Sequence, residues 1–305
     1  MATKLKKKTN LDKHFKDICQ DLIGEAQTFL QQGNKAAGVH NARKRYKQLR
    51  GVLRLIRFGL VDKIYDRENT ALRDAGRPLS EVRDADVMIE TLDELIQHFK
   101  GHVRKQSFKK LRTQLIERRK KIRTEVIQKE KAVSKVLKST KQISSHVKKW
   151  PKFPDQFAIL NKGVRKIYAR GQDEMDCAFK DPTVENLHAW RKSVKYLRYQ
   201  LEIFEDLTES ILKDMADEAH TLADTLGVDH DLAVLDDLIR GELKKACTKK
   251  QHEMLTALIR QRRTELRKEA EEIGPHLYGE TAKQFCKRLK GYWDSWQSKP
   301  GEVAA

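Results

Sequence analysis

The chain has 305 residues, and its 63 lysines and arginines outnumber its 44 aspartates and glutamates, which gives a formal net charge of +19 at pH 7. This charge favours acidic partners such as nucleic acid, an anionic membrane surface or polyphosphate. Glycine and proline are scarce and 35% of the residues are charged, a composition typical of an all-α protein. No run approaches the ~18 apolar residues of a membrane-spanning helix. The basic N-terminus lacks the apolar stretch of a signal peptide, so we expect a cytoplasmic protein without membrane insertion.

Apolar periodicity predicts a series of helices with short breaks between them. A basic tail at 1–9 precedes the first helix, which we expect to end at Gly33-Asn34. Pro151 and Pro154 cannot both lie inside a helix and mark a boundary between two halves, 10–150 and 151–297, with a short tail at 298–305. The expected helices are 11–31, 36–60, a further helix to 74, 82–99, 104–147, 155–179, 183–207, 208–226, 229–245, 252–273 and 279–296.

One basic motif occurs twice, in identical register and 148 residues apart. Residues at i, i+3, i+7 and i+10 share a face of an α-helix, so the basic residues of each copy form one row, with an apolar stripe on another face. By the same spacing Arg54 and Arg57 extend the first row to about 25 Å, which suits an extended polyanion. The two rows consist of His40, Arg43, Lys44, Lys47 and Arg50, and of His188, Arg191, Lys192, Lys195 and Arg198.

The same offset relates other basic residues of the two halves. Arg112 and Arg119 recur as Arg260 and Arg267, and these arginines either line the same cleft as the rows or pair with acidic residues. A register kept over so long a stretch predicts an internal duplication and two helical bundles related by an approximate two-fold axis. The second row is followed by Glu202 and Glu205 where the first has arginines, so the second row should attract an anion less strongly.

A shorter motif also occurs twice, as Arg83-Asp84 and as His230-Asp231, 147 residues apart. A His-Asp pair can contribute metal ligands, but its counterpart carries arginine, which does not ligate metal in ordinary sites. We therefore predict no metal site. We interpret Asp84 and Asp231 as helix N-terminal caps or as partners of basic residues.

The repeated His-x-x-Arg-Lys-x-x-Lys-x-x-Arg motif, each copy followed by Arg-Asp or His-Asp, resembles the CHAD domain, the conserved-histidine α-helical domain. The resemblance covers about residues 10–297 as one such domain. It implies an all-α fold of two pseudo-symmetric four-helix bundles and a basic face that binds inorganic polyphosphate, with the residues of the two rows as its ligands. Some family members carry an additional triphosphate-tunnel domain with a Glu-x-Glu-x-Lys motif. This chain lacks that motif, so we infer no hydrolysis.

The function that we expect is therefore non-catalytic binding of inorganic polyphosphate, without cofactors, in association with polyphosphate granules. An RNA- or DNA-binding protein, for which nucleic acid would be the competing polyanion, is the alternative. The rows, however, offer almost no exposed aromatic side chains and few amides for base recognition. A phosphohydrolase or polyphosphate kinase is a third class. We find neither a metal-ligand carboxylate cluster nor a glycine-rich phosphate loop. Catalysis through a phospho-accepting histidine remains an alternative at the level of the sequence. Oligomeric state does not follow from the sequence.

Overall fold

The computed structural model describes residues 4–7, 9–32, 36–103 and 105–298, and these residues form helices with no strand among them. The predicted all-α fold is confirmed. None of the described helices is long and apolar enough to cross a membrane. The Gly33-Asn34 break, the predicted helix start at 104, residues 1–3 and 8 of the first predicted tail and residues 299–305 of the second lie outside the described residues.

The first half of the chain forms six helices over its described residues. Asn10 caps the first helix, since its side chain accepts a hydrogen bond from the Lys13 backbone N–H. The helix that carries the first basic row ends at Leu55 and is followed by a 3-10 turn, so it is shorter than the predicted 36–60. The helices are α1 (Leu11–Gln31), α2 (Ala36–Leu55), α3 (Asp62–Gly76), α4 (Ser80–His98), α5 (Lys109–Arg123) and α6 (Ala132–Lys148).

The single long helix predicted over 104–147 is wrong. After α5 the chain makes a π-helical turn at Thr124–Lys129, and Lys131 then adopts a left-handed conformation with φ of 52° before α6 begins. This break separates two packing environments, because α5 packs against α4 whereas α6 packs against α1 and α3. Charged residues continue through the break, so the sequence carried no clear stop signal.

The described residues of the second half form five helices, and threonine side chains cap three of them, α11 by Thr281, which accepts from the backbone N–H of Gln284. Thr183 accepts from the backbone N–H of Asn186, and Thr248 forms a capping box with Gln251. The helices are α7 (Phe157–Lys180), α8 (Val184–Phe204), α9 (Ile211–Arg240), α10 (Lys249–Leu277) and α11 (Ala282–Ser298).

The two helices predicted at 208–226 and 229–245 are one helix, α9, which passes through Gly227 without a break. In sequence register α9 corresponds to α3 and α4 together. The first half is interrupted there by a 3-10 turn at Arg77–Leu79, where Pro78 removes a backbone donor. Glycine alone does not stop a helix that is packed on its neighbours.

Buried apolar residues form two clusters. The larger cluster joins α1, α2, α3 and α6 to α7, α8, α11 and the first half of α9. The smaller cluster joins α4 and α5 to the second half of α9 and the first half of α10. Each cluster contains residues from both sides of the Pro151–Pro154 segment, so the two halves pack extensively on one another. The internal duplication and the boundary at 150 stay predictions from the sequence.

The two motif helices, α2 and α8, pack directly against each other. Gly51 allows the close approach, since an added Cβ there would lie 3.1 Å from the Cβ of Tyr199. The side chain of Gln200 donates to the Gly51 carbonyl at 3.4 Å. One turn further along α2, a Cβ at Gly163 of α7 would overlap the Leu55 carbonyl, so α7 also packs closely on α2. These contacts bring the two helices that carry the basic rows together.

Candidate functional site

The inner residues of the two basic rows meet at the packed pair of α2 and α8. Lys47 of the first row interacts electrostatically with Arg191 of the second row, and Lys195 of the second row interacts with both. His188 also interacts with Lys47. We call the inner residues the central basic cluster: His40, Arg43 and Lys47 from α2, with His188, Arg191 and Lys195 from α8.

Helix α9 borders the cluster and fixes the position of Arg191. The Arg191 Nε donates to the Ala223 carbonyl at 3.3 Å. A Cβ at Gly227 would lie 2.8 Å from the Arg191 Nη2, so the absence of a side chain there makes room for the guanidinium. The rings of His188 and His230 lie 4.3 Å apart, which joins α8 to α9 at the edge of the cluster.

Carboxylates of α4 and α9 lie within electrostatic reach of the cluster. Asp84 and Asp231 act on its arginines and lysines, while Asp224 reaches Lys195 and Glu90 reaches His40. Asp84 interacts with Arg43 and Lys47, and Asp231 with Arg191 and Lys195. Both aspartates lie inside their helices, so the interpretation as N-terminal caps is wrong. They act as charge partners of basic residues, the other interpretation left open by the sequence. Within the described part of the chain, no group of three or more His, Cys, Asp or Glu side chains is placed to hold a metal ion.

The protein around the cluster disfavours its charged forms. Burial, followed by the neighbouring Arg191, lowers the pKa of Lys195 to about 7. Lys47 is reached by solvent, yet surrounding protein displaces enough bulk water to lower its pKa to about 8, with Arg43 the next cause. Burial and the adjacent His230 lower the pKa of His188 to about 4. A bound anion would favour the charged form of each of these groups.

Burial also disfavours the charged forms of other residues at the site. It lowers the pKa of His40, Arg43 and His230, with Arg83 the second cause for His40. It raises the pKa of Asp231. One terminal nitrogen of Arg43, Nη1, is buried without a hydrogen-bond partner among the described residues. The site therefore holds several groups that would gain from a negatively charged ligand.

The outer residues of the first row are tied to neighbouring side chains. The Arg50 Nε donates to Asn69 at 3.1 Å, and the Arg54 guanidinium lies 4.0 Å from the ring centroid of Tyr196. Because α2 ends at Leu55, Arg57 lies in the 3-10 turn, stacks over a tyrosine and is 3.8 Å from Asp62. The prediction that one helix carries the row as far as Arg57 is wrong.

The outer residues of the second row differ from those of the first. Arg198 donates to Glu202 at 2.7 Å, so its charge is offset by a carboxylate on the same helix. This pairing agrees with the weaker second row expected from the sequence. Lys44 and Lys192 are exposed beside the cluster, and neither forms an ion pair with a described residue. They can extend the cluster towards solvent.

Of the four remaining predicted arginines, three pair with aspartates. Arg112 makes a two-pronged contact with Asp93, with hydrogen bonds of 2.8 Å. The ion-pair distances are 3.8 Å from Arg119 to Asp86 and 3.3 Å from Arg267 to Asp229. Arg260 is exposed and lines a separate depression with Arg240, Thr256 and Arg263.

These aspartates face away from the central basic cluster. Asp229 is two positions from Asp231, which places it about 200° around α9, and Asp86 is displaced from Asp84 by the same angle on α4. Of the two alternatives left open by the sequence, the geometry thus favours ion pairing for Arg112, Arg119 and Arg267.

Sequence reasoning did not place His230, Arg83 or Tyr196 at the site. His230 stacks with His188, Arg83 acts on His40 and Arg43, and Tyr196 packs against Arg54. The repeated Arg-Asp and His-Asp motif contained a usable signal for the first two, since its copies are separated by 147 residues, one fewer than the copies of the basic row. Nothing in the pattern marked the tyrosine, which occupies the apolar side of α8.

Comparison with known proteins identifies the family and supports the fold. A family model described as the CHAD domain matches residues 17–240. The crystal structure of the CHAD domain from the plant Ricinus communis is similar at a TM-score of 0.59 and 16% identity, covering 98% of this chain and 96% of that chain. PptA from Streptomyces chartreusis is similar at a TM-score of 0.59 and 12% identity, covering 89% of this chain and 100% of that chain. At these identities the likeness shows a shared fold. No curated protein matches the chain.

Proposed function

The chain belongs to the CHAD domain family, and from this premise we propose that it binds inorganic polyphosphate at the central basic cluster without transforming it. One observation carries the proposal: α2 and α8 bring the inner residues of both basic rows into mutual electrostatic contact. Opposed cations that repel one another in the free protein are stabilised by a chain of phosphates between them.

The chemistry of the cluster fits phosphate better than it fits nucleobases. Guanidinium groups bind phosphate oxygens in pairs, and lysine ammonium groups act as point charges. Single-stranded nucleic acid needs exposed aromatic side chains for stacking. Tyr196 and Tyr199, the aromatic residues of α8 beside the rows, are buried. A phosphate chain without bases is thus the ligand that this surface fits best.

The proposal contains no catalytic step, since rows of cations hold a phosphate chain by neutralising its charge. Two carboxylates of the site act on Arg43, Lys47, Arg191 and Lys195. They limit the self-repulsion of the free site. A protein with such a surface would be retained by polyphosphate granules in the cytoplasm, and duplex DNA or RNA would act only as a competing polyanion.

Titration of the full chain with long-chain polyphosphate, tripolyphosphate and duplex DNA, each at two salt concentrations, tests the proposal. We expect the tightest binding for long polyphosphate. The variant K47E/R191E should lose it, whereas K283E/K287E, which changes the net charge equally at exposed positions of α11, should retain it. DNA binding as tight as polyphosphate binding, or equal losses in both variants, would contradict the proposal.

A further inference from the structure

The centre of the basic cluster brings like charges within electrostatic reach of one another. Lys47 lies one helical turn from Arg43 on α2, Lys195 lies one turn from Arg191 on α8, and the two helices pack together. Lys47 of α2 and Lys195 of α8 interact with each other and with the guanidinium of Arg191. That guanidinium cannot swing far aside, because it donates to the Ala223 carbonyl and lies against Gly227. Three cationic side chains from two packed helices are therefore held close together in the free protein.

The groups that face the two lysines come from all four surrounding helices. On the positive side they include Arg43 of α2 and Arg191 of α8, with Arg83 of α4 acting on Arg43, and on the negative side Asp84 of α4 with Asp224 and Asp231 of α9. The pair of His188 and His230, with rings 4.3 Å apart, closes the α9 side, and the Nδ1 atoms of both are buried without a hydrogen-bond partner among the described residues. Asp229, also on α9, forms ion pairs with Arg263 and Arg267 on the far face of that helix.

The carboxylates offset only part of this repulsion. Asp224 is exposed, and its 3.0 Å contact is with His220 rather than with a lysine of the cluster. Asp231 interacts most strongly with Arg191. Neither lysine forms an ion pair within 4.0 Å among the described residues. A lysine in such surroundings can relieve the repulsion by giving up its proton, whereas arginine stays charged.

The direction of the effect follows from these surroundings. With a pKa of about 7, Lys195 is largely neutral at pH 8, and Lys47 with a pKa of about 8 is half neutral. A polyanion beside them supplies the negative charge that the free site lacks, so it stabilises both ammonium groups and raises both pKa values. Each amine that regains a proton on binding makes the affinity fall as the pH rises.

We propose that the central basic cluster takes up protons at Lys195 and Lys47 when it binds a polyanion, so that binding weakens from neutral to alkaline pH. This inference rests on the proposed function and adds a form of regulation to the same site. A fully charged resting site would repel itself, whereas a partly neutral one gains its full charge only with the ligand in place. The proton uptake couples occupancy of the site to pH.

Calorimetric titration of the full chain with long-chain sodium polyphosphate at pH 8, in two buffers of different ionisation enthalpy, measures the protons taken up. We expect an uptake of roughly one proton per bound chain, and hence a loss of affinity of about tenfold from pH 7.5 to pH 8.5. Long chains are the proper probe because few of their phosphates are titratable ends. At pH 8 the histidines contribute little, since the pKa of His188 is about 4.

The variant K47R/K195R separates this inference from ordinary charge attraction, because guanidinium groups stay protonated throughout this range. It should bind with little proton uptake and an almost flat pH profile. K283R/K287R is the matched control, since both lysines are exposed on α11 and away from the cluster, and its uptake should equal that of the parent. Circular dichroism of each variant confirms that it is folded.

The outcomes distinguish the two proposals. Tight binding without proton uptake, or an uptake undiminished in K47R/K195R, would overturn the proton coupling and leave the proposed function standing. Failure of polyphosphate to bind at both pH 6.5 and pH 8.5 would overturn the proposed function itself. Uptake that disappears in K47R/K195R and persists in K283R/K287R would support the inference.

Discussion

Neutral replacement of one inner cation from each row should lower both the affinity for polyphosphate and its dependence on salt. The variant K47Q/R191Q removes two of the four lysine and arginine charges of the central basic cluster, the others being Arg43 and Lys195. Binding of a polyanion releases its counterions, so the logarithm of the affinity falls with that of the salt concentration by about 0.7–0.9 for each neutralised phosphate. This relation is established for nucleic acids, and we extend it to polyphosphate by analogy.

At pH 6.5, where both lysines of the cluster are charged, four neutralised phosphates give a slope of about −3. The variant should show a slope of about −1.5. A charge-assisted contact contributes about 1.5 kcal/mol or more, so the loss of two should weaken binding roughly 100-fold at moderate salt. Fluorescence or calorimetric titration between 50 and 300 mM salt measures both quantities. In the middle of this range the Debye length is about 8 Å, so distant charges are screened and close contacts dominate.

The control variant K283Q/K287Q removes two exposed lysines of α11 and changes the net charge by the same amount. Its slope should stay close to that of the parent. Equal slopes for the parent and K47Q/R191Q would show that the cluster is not the main contact. An equal reduction in the control would show that overall charge, rather than the convergence of the two rows, determines binding.

Three other predictions follow from the geometry. R50E should weaken polyphosphate binding more than R198E, because Arg198 is already paired with Glu202, and E202Q should strengthen binding by freeing that arginine; equal losses would place both arginines outside the ligand's path. Long polyphosphate should bind at about one chain per protein, because one long chain spans both rows. Mutation of either row should lower the affinity for long polyphosphate far more than the affinity for tripolyphosphate. Two independent sites in calorimetry would refute this. G163A should lower the free energy of unfolding by about 3 kcal/mol, because a methyl group there meets a backbone carbonyl of α2, whereas G24A, with nothing within 4 Å, should raise it by about 0.5–1 kcal/mol in chemical denaturation.

The class of fold and the residues of the basic rows could be predicted from the amino-acid sequence. Helical periodicity and the scarcity of glycine and proline are local properties, so they specify helices before any tertiary contact forms. The exact spacing of His40, Arg43 and Lys47 likewise places these side chains on one face of any helix that contains them. The pairing of Arg198 with Glu202 was also foreseeable, since i and i+4 are neighbours on a helix.

The positions of the helix breaks and the ion pairing of the charged side chains depend on tertiary packing and could not be read from the sequence. The break between α5 and α6 and the continuity of α9 through Gly227 depend on packing partners that are remote in the sequence. The fate of each arginine depends on whether a carboxylate of another helix lies within reach, as Asp93 does for Arg112 and none of the described ones does for Arg43.

The depressed pKa values of the central lysines are a tertiary property as well. Lys47 and Lys195 belong to different helices, and their mutual repulsion and partial desolvation exist only because α2 packs on α8 at Gly51 and α9 covers one side. A sequence lists charges, whereas electrostatic energy depends on the distances and the solvent between them. The fold supplies both.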